Sequence, residues 1–141
     1  MAVIAVDLGA TKIASALFDQ TGAPSHKQTS LLEKRQGDDV GRLITKSVHA
    51  LRATAETNGH QVDAIGVCVP GISHASTGRV WAPNIPGWDE YPLMDLLRSA
   101  FPSPDIRVRI DSDRACSICS SWVGALAIKA RVLATPPGTS R

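Results

Sequence analysis

The stretch Asp7-Leu8-Gly9-Ala10-Thr11-Lys12 gathers a carboxylate, a glycine, a hydroxyl and an ammonium into consecutive positions. At the tip of a turn, these groups and the backbone N–H donors beside them are what an anionic phosphate chain needs. A second carboxylate, Asp111, follows the alternating run at 106–110, and Pro70-Gly71 and Asn84 lie between the two. Each of these residues also has a purely structural reading. Asp7 and Gly9 could serve only the conformation of a hairpin turn, and Lys12 could be a solvated strand residue. Asn84 could be a turn former in a Pro-rich loop, and Asp111 the N-cap of a following helix. His26, His49, His60 and His74 show no ligand spacing and are expected at the surface. Cys116 and Cys119 form a lone C-x-x-C with no second pair and no nearby histidine, so they read as small helix residues rather than a metal or redox site.

The elements that must position these groups follow from periodicity. Residues 3–6 are an apolar, β-branched run expected as a buried strand. Residues 13–18 form a second strand, joined to the first as a hairpin through the Asp7–Lys12 turn. Residues 25–32 read as a third, antiparallel strand. Val40, Leu43, Ile44, Val48 and Leu51 then recur at helical spacing, with Asp38 or Asp39 as N-cap and Asn58-Gly59 as the stop. Residues 62–69 are a further strand, cut short by Pro70-Gly71. Residues 72–92 read as a long irregular segment with a short strand at 78–81, anchored to the core by Trp81 and Trp88. A helix with Pro92 near N1 runs to Phe101, residues 106–110 form a half-buried strand, and a helix begins at Ser112 or Asp113 with Ile118, Trp122, Ala125 and Leu126 inside. This order predicts a mixed α/β sheet. If the strands ending at Asp7, Pro70-Gly71 and Asp111 run parallel, their ends gather on one edge, where open α/β sheets bind ligands. Both carboxylates would then face one cavity, roofed by the tryptophan-bearing loop.

Composition narrows the function classes. With 141 residues, 43% hydrophobic and 20% charged, the chain is that of one globular domain. A net charge of +2 with scattered basic residues gives no electrostatic basis for binding nucleic acid. No apolar run approaches the ~18 residues of a membrane span, and no basic region with an apolar segment opens the chain, so neither membrane nor secretion is expected. Three cysteines fit a reducing cytoplasm.

Asp7-Leu8-Gly9-Ala10-Thr11-Lys12 resembles the first phosphate loop of the ROK family (repressor, open reading frame, kinase) of actin-like sugar kinases. Val69-Pro70-Gly71 followed by Pro83-Asn84-Ile85-Pro86-Gly87-Trp88 resembles that family's sugar-binding loop. Ile110-Asp111-Ser112 with Ala115 resembles its Asn-Asp-Ala motif, and Trp122-Val123-Gly124-Ala125 the Trp-x-Gly-Ala that ends the next helix. The resemblance implies a ribonuclease H-like, actin-like ATPase lobe with a mixed five-stranded sheet and flanking helices. It implies an ATP-dependent hexose kinase, glucokinase-like, with ATP and Mg2+ as cofactors and a glucose-like sugar as substrate. By it, Asp111 is the general base and a sugar contact, and Gly71 and Asn84 are further sugar contacts. Asp7 helps hold magnesium, through water, while Gly9, Thr11 and Lys12 face the phosphates.

Two departures accompany the resemblance. Ile110 stands where the family has an asparagine that donates to a sugar hydroxyl, so that contact is lost. Pro136-Pro137-Gly138-Thr139 stands where a second glycine-rich phosphate loop belongs, and two prolines remove two backbone donors. Residues 1–126 are therefore expected to be the amino-terminal lobe and 127–141 a diverged or truncated tail, with no turnover by the chain alone. The competing readings are a non-catalytic sugar-binding relic and a ROK-type transcriptional regulator without its DNA-binding domain. Apolar surface left uncovered by the missing half favours self-association, so a homo-oligomer is among the expected partners.

Overall fold

Ala2–Leu8 (β1) is buried at every position except Asp7, which is half-buried, and it forms the middle of the sheet in the computed structural model. The structure describes residues 2–9, 11–18, 24–74 and 76–112. Lys12–Phe18 (β2) pairs antiparallel with β1, and Pro24–Leu31 (β3) pairs antiparallel with β2. Asp38–Thr57 (α1) then leads to Val62–Val69 (β4), which lies parallel to β1. Ile72–His74 (β5) and Arg79–Trp81 (β6) make a separate two-stranded ribbon. Leu93–Ala100 (α2) precedes Arg107–Ser112 (β7), which lies parallel to β4. The main sheet has the order β3-β2-β1-β4-β7, the mixed five-stranded sheet expected from the sequence.

Cross-strand partners share a face of the sheet, so the registers assign each side chain. Ile4, Ile65 and Val108 are in line, as are Val6, Val67 and Ile110. On this face α1 lays down Val40, Ile44, Val48, Leu51 and Ala55, and α2 adds Leu93 and Leu97, in one continuous core. Each fully buried aliphatic chain there contributes ~1.5–3 kcal/mol relative to exposure. The opposite face holds Ala5, Ala16 and Phe18 in a separate cluster, with Gly66 beside Ala5 and Arg109 next in line on β7.

Several boundaries differ from expectation for identifiable reasons. Neither Asp38 nor Asp39 is the N-cap of α1. Gly37 takes that position with φ 51, and no side chain caps the helix. The two aspartates sit inside the first turn, where negative charge suits the helix dipole. Asp38 also accepts a hydrogen bond from the Tyr91 hydroxyl at 3.0 Å. Pro92 is the N-cap of α2 rather than its first helical residue. Asp111 pairs with Cys68 near the end of β7, which runs one residue further, to Ser112. The stop at Asn58-Gly59 is as expected, with Gly59 at φ 77. The helix expected from residue 112 or 113, the C-x-x-C and the tail at 127–141 fall outside the described residues.

Residues 72–92 are more ordered than a long irregular loop. The β5–β6 ribbon was not expected as a pair. Val80 and Tyr91 exchange two backbone hydrogen bonds of 2.9 Å. The Ala82 N–H donates to the Trp88 carbonyl at 2.8 Å, closing the loop between them. Trp88 is fully buried, stacks on Tyr91 at 4.4 Å between ring centres, and donates its indole N–H to the Gly37 carbonyl at 3.0 Å. Trp81 is not an anchor. It is 41% exposed, opposite the equally exposed Ile72 on the ribbon, because alternation along β6 turns Val80 inward and its neighbours outward.

Candidate functional site

The two carboxylates are brought to one level of the sheet by register. Asp7 is the β1 partner of Cys68, and Cys68 is the β4 partner of Asp111. All three strands are parallel, so Asp7, Cys68 and Asp111 form a row across their carboxyl-terminal ends on the face away from α1. Two strand spacings separate the Cα atoms of Asp7 and Asp111, roughly 10 Å. Cys68 is buried between them. Its place in this row had no signal in the sequence, because register across non-adjacent strands is not written in local pattern.

The Asp111 carboxylate is 14% exposed and meets the Arg109 guanidinium at 3.3 Å between Oδ2 and Nε. Arg109 is two residues earlier on the same strand and face, so the strand itself places a positive charge beside the carboxylate. The row sits at the edge where the sheet hands over to its loops, the edge at which open α/β sheets bind ligands.

The Gly9–Lys12 turn is tied off internally. The Gly9 N–H donates to the Lys12 carbonyl at 2.8 Å, so that donor closes the hairpin rather than facing outward. Gly9 is also not in the left-handed region. A Cβ there would stand 3.1 Å from the Lys12 carbonyl oxygen, so the tightness of the turn explains the glycine. The Thr11 and Lys12 side chains are exposed.

Asn84 and Thr11 line one cavity of about 460 Å3, together with residues 32–36, Ile85 and Pro86. Neither Asp7 nor Asp111 lines it. Trp88 belongs to the core on the α1 side of the sheet, and Asn84 shares its cavity with Thr11 of the β1–β2 turn. Gly71 touches neither group through a side chain of its own. A Cβ at 71 would meet the Trp81 carbonyl oxygen at 2.0 Å, so the β6 backbone occupies that space. Residues 33–36 carried no functional signal in the sequence. Their contribution to this cavity becomes visible once Gly37 is seen to bridge Pro86 and Trp88 through its N–H and carbonyl.

Oxygen donors from one or two carboxylates suit magnesium, which keeps several waters and completes its shell with phosphate oxygens. The half-buried Asp7 at a strand end fits that demand. Among the described residues no cluster of three or more His, Cys, Asp or Glu side chains could hold a metal by protein ligands alone. No described helix is long and apolar enough to cross a membrane.

Residues 3–134 match the ROK family. The chain is 35% identical over 104 residues to an N-acetylmannosamine kinase of Yersinia pseudotuberculosis, covering 72% of this chain and 33% of that protein. Its fold superimposes on the ROK hexokinase of Thermus thermophilus with a TM-score of 0.69 at 28% identity, over 83% of this chain and 37% of that one. It also superimposes on a ROK family glucokinase of Streptomyces griseus solved with glucose and AMPPNP, with a TM-score of 0.64 at 25% identity, over 89% and 37% of the two chains. The chain thus spans about a third of the length of the proteins it matches. With its mixed sheet of actin-like ATPase type and these matches along most of its length, the chain belongs to the ROK family.

Proposed function

We propose that this chain forms the amino-terminal lobe, residues 1–126, of an ATP-dependent hexose kinase that transfers the γ-phosphate to a hydroxyl of a glucose-like sugar. Residues 127–141 are a diverged tail in this reading, the site is cytoplasmic, and the 141-residue chain does not turn over alone. The observation that carries it is the in-register row of Asp7, Cys68 and Asp111 at the ends of three parallel strands, beside the Thr11–Lys12 turn. Family membership supports it, as does the nucleotide analogue and glucose bound together by the Streptomyces griseus relative.

In this mechanism Asp111 accepts the proton of the attacking sugar hydroxyl, and Arg109 holds its carboxylate in place. A strong base is not required, because phosphoryl transfer passes through a loose transition state in which the nucleophile is little activated. Gly71 and Asn84 contact the sugar. Thr11 and Lys12 face the phosphates and offset charge on the transferred group, joined by the turn that Gly9 closes. Asp7 would hold magnesium through water, and that ion would supply charge neutralisation between the phosphates.

The test is a fusion in which residues 2–112 replace the matching part of the Yersinia N-acetylmannosamine kinase. Coupled ADP release is then followed with glucose and with N-acetylmannosamine. Turnover is expected from the fusion and none from the 141-residue chain. Asp111→Asn in the fusion should lower kcat by ~10²–10⁴-fold while sugar binding persists. Full turnover in that variant would remove Asp111 from the base role. A fusion that binds glucose without turning over would instead favour a sugar-binding relic.

A further inference from the structure

Among the described residues, Leu31, Ile72 and Trp81 are the large apolar side chains left exposed. Leu31 stands alone on the polar edge of β3, and a single exposed leucine is ordinary. Ile72 and Trp81 differ, because they are cross-strand partners on the β5–β6 ribbon, each 41% exposed. Alternation turns Val80 inward to full burial, so the outer face of the ribbon carries Ile72, His74, Arg79 and Trp81. The Val80–Tyr91 bridge brings Glu90 level with Trp81, and the Glu90 carboxylate lies 3.8 Å from the Arg79 guanidinium. Both charges stand in solvent beside the apolar pair.

The ribbon is not free to hide this pair by turning over. Two backbone hydrogen bonds of 2.9 Å between Val80 and Tyr91 fix β6, and the β6 backbone closes on Gly71 so tightly that no Cβ fits between them. The apolar pair is thus presented on a rigid support, and pre-organised surface costs least to bury. Its charges decide what covers it. One cation and one anion flank a single apolar pair, so the patch is complementary to itself. A two-fold axis laid along Ile72 and Trp81, passing between Arg79 and Glu90, sets apolar chains on apolar chains. The same rotation brings each Arg79 to the Glu90 of the other copy, as an isologous interface requires. An exposed ion pair within one chain contributes little, whereas two reciprocal pairs over a covered apolar centre are less screened by water.

We propose that the outer face of the β5–β6 ribbon is a self-association surface, on which a second copy of this chain covers Ile72 and Trp81 and exchanges Arg79–Glu90 ion pairs. Trp81 is the anchor, since tryptophan and arginine are the residue types that carry most of the binding energy at interfaces. With so few apolar side chains in each patch, the contact belongs with small, transient interfaces, and dimerisation depends on concentration. None of these residues belongs to the strand-end carboxylate row or lines the cavity of Thr11 and Asn84. Dimer formation and the kinase reading therefore fail independently of one another.

The experiment is sedimentation equilibrium of the 141-residue chain from micromolar to millimolar concentration, where a monomer–dimer equilibrium is expected. Trp81→Ser should weaken the dimer by about tenfold or more, as loss of an anchor does. Leu31→Ser, at the most exposed of the apolar residues, should leave it unchanged. Arg79→Glu sets two acids side by side and Glu90→Arg two bases, so each variant alone is expected to stay monomeric. Mixed in equal amounts the two should form a heterodimer, because an acidic patch then meets a basic one. Neither chain of that mixture can rebuild the Arg79–Glu90 pair within itself, so recovery has to come across an interface. Every altered side chain is exposed, and the thermal melts of the monomers should match that of the parent at low concentration. A parent that is monomeric throughout overturns the proposal, and so do a Trp81→Ser variant that associates like the parent and a mixture of the charge variants that stays monomeric. Growth beyond the dimer also overturns it, since an isologous contact closes on itself.

Discussion

At the scale of single residues, glycine and tyrosine positions make the sharpest demands. Gly71 has no room for a methyl group, since the Trp81 carbonyl oxygen and the Ala82 Cα stand 2.0 and 2.9 Å from where a Cβ would go. Both are backbone atoms that cannot rotate away. Gly71→Ala is therefore expected to destabilise by about 2 kcal/mol or more, as overpacking of a fixed contact does, read as a lowered urea midpoint at unchanged m. Tyr91 is buried and bonded to Asp38, and its phenol is pushed up from 10.0 to about 12, chiefly by desolvation and then by the Asp38 hydrogen bond. A group whose pKa rises on folding stabilises fully below its unfolded pKa. Its contribution is lost as pH climbs from about 10 through about 12. Thermal melts of the parent should accordingly fall over that window, and Tyr91→Phe should lack this part of the alkaline slope. An identical slope in the variant would show that another group is responsible.

At the scale of elements, α1 and the loop at 82–91 are held together by a small aromatic unit. Trp88 and Tyr91 stack nearly parallel, at 5°. Trp88 reaches the N-cap of α1 through its indole, and Tyr91 reaches the first turn through its hydroxyl. Trp88→Ala should cost ~3–5 kcal/mol, the usual range for emptying a buried aromatic site. It should also loosen the Gly37 end of the helix, measurable as faster amide exchange at residues 37–41. Gly41 belongs to the same unit. Glycine to alanine in a helix interior normally gains ~1 kcal/mol. At 41 a Cβ would meet the Tyr91 hydroxyl oxygen at 2.2 Å and Leu96 at 2.7 Å, so Gly41→Ala should instead destabilise. Adding Tyr91→Phe should recover part of the loss. A stabilised single variant would mean that the ring moves aside freely.

At the scale of the whole molecule, β1 and β4 are the rigid centre. Each has a hydrogen-bonded strand on both sides, and each is almost wholly buried. β3 is an edge strand carrying exposed His26, Lys27, Thr29 and Leu31, a polar and charged edge that discourages pairing with another chain. Hydrogen exchange should therefore be slowest in β1 and β4, through global unfolding, and markedly faster in β3 and in the β5–β6 ribbon. Equal protection across all strands would contradict this division. The division places Asp7 and Asp111 on or beside the stiff part of the sheet, whereas Asn84 and Lys34 ride on loops fixed by hydrogen bonds.

The sequence by itself determined the element types and most of the site candidates. Apolar runs and helical periodicity locate β1, β2, β4, α1 and α2 because burial of one face is a local, periodic requirement. Asp7, Asn84 and Asp111 stand out because their neighbours are turn formers or strand ends. Only the tertiary structure decided which of these meet. The parallel pairing of β1, β4 and β7 sets Asp7, Cys68 and Asp111 in one row. The bonds from Thr11, Gly37 and Pro86 set Asn84 beside Lys34, on a cavity that neither carboxylate lines. Register and loop closure join residues far apart in the chain, and no local pattern encodes the level at which two distant strands come to rest side by side.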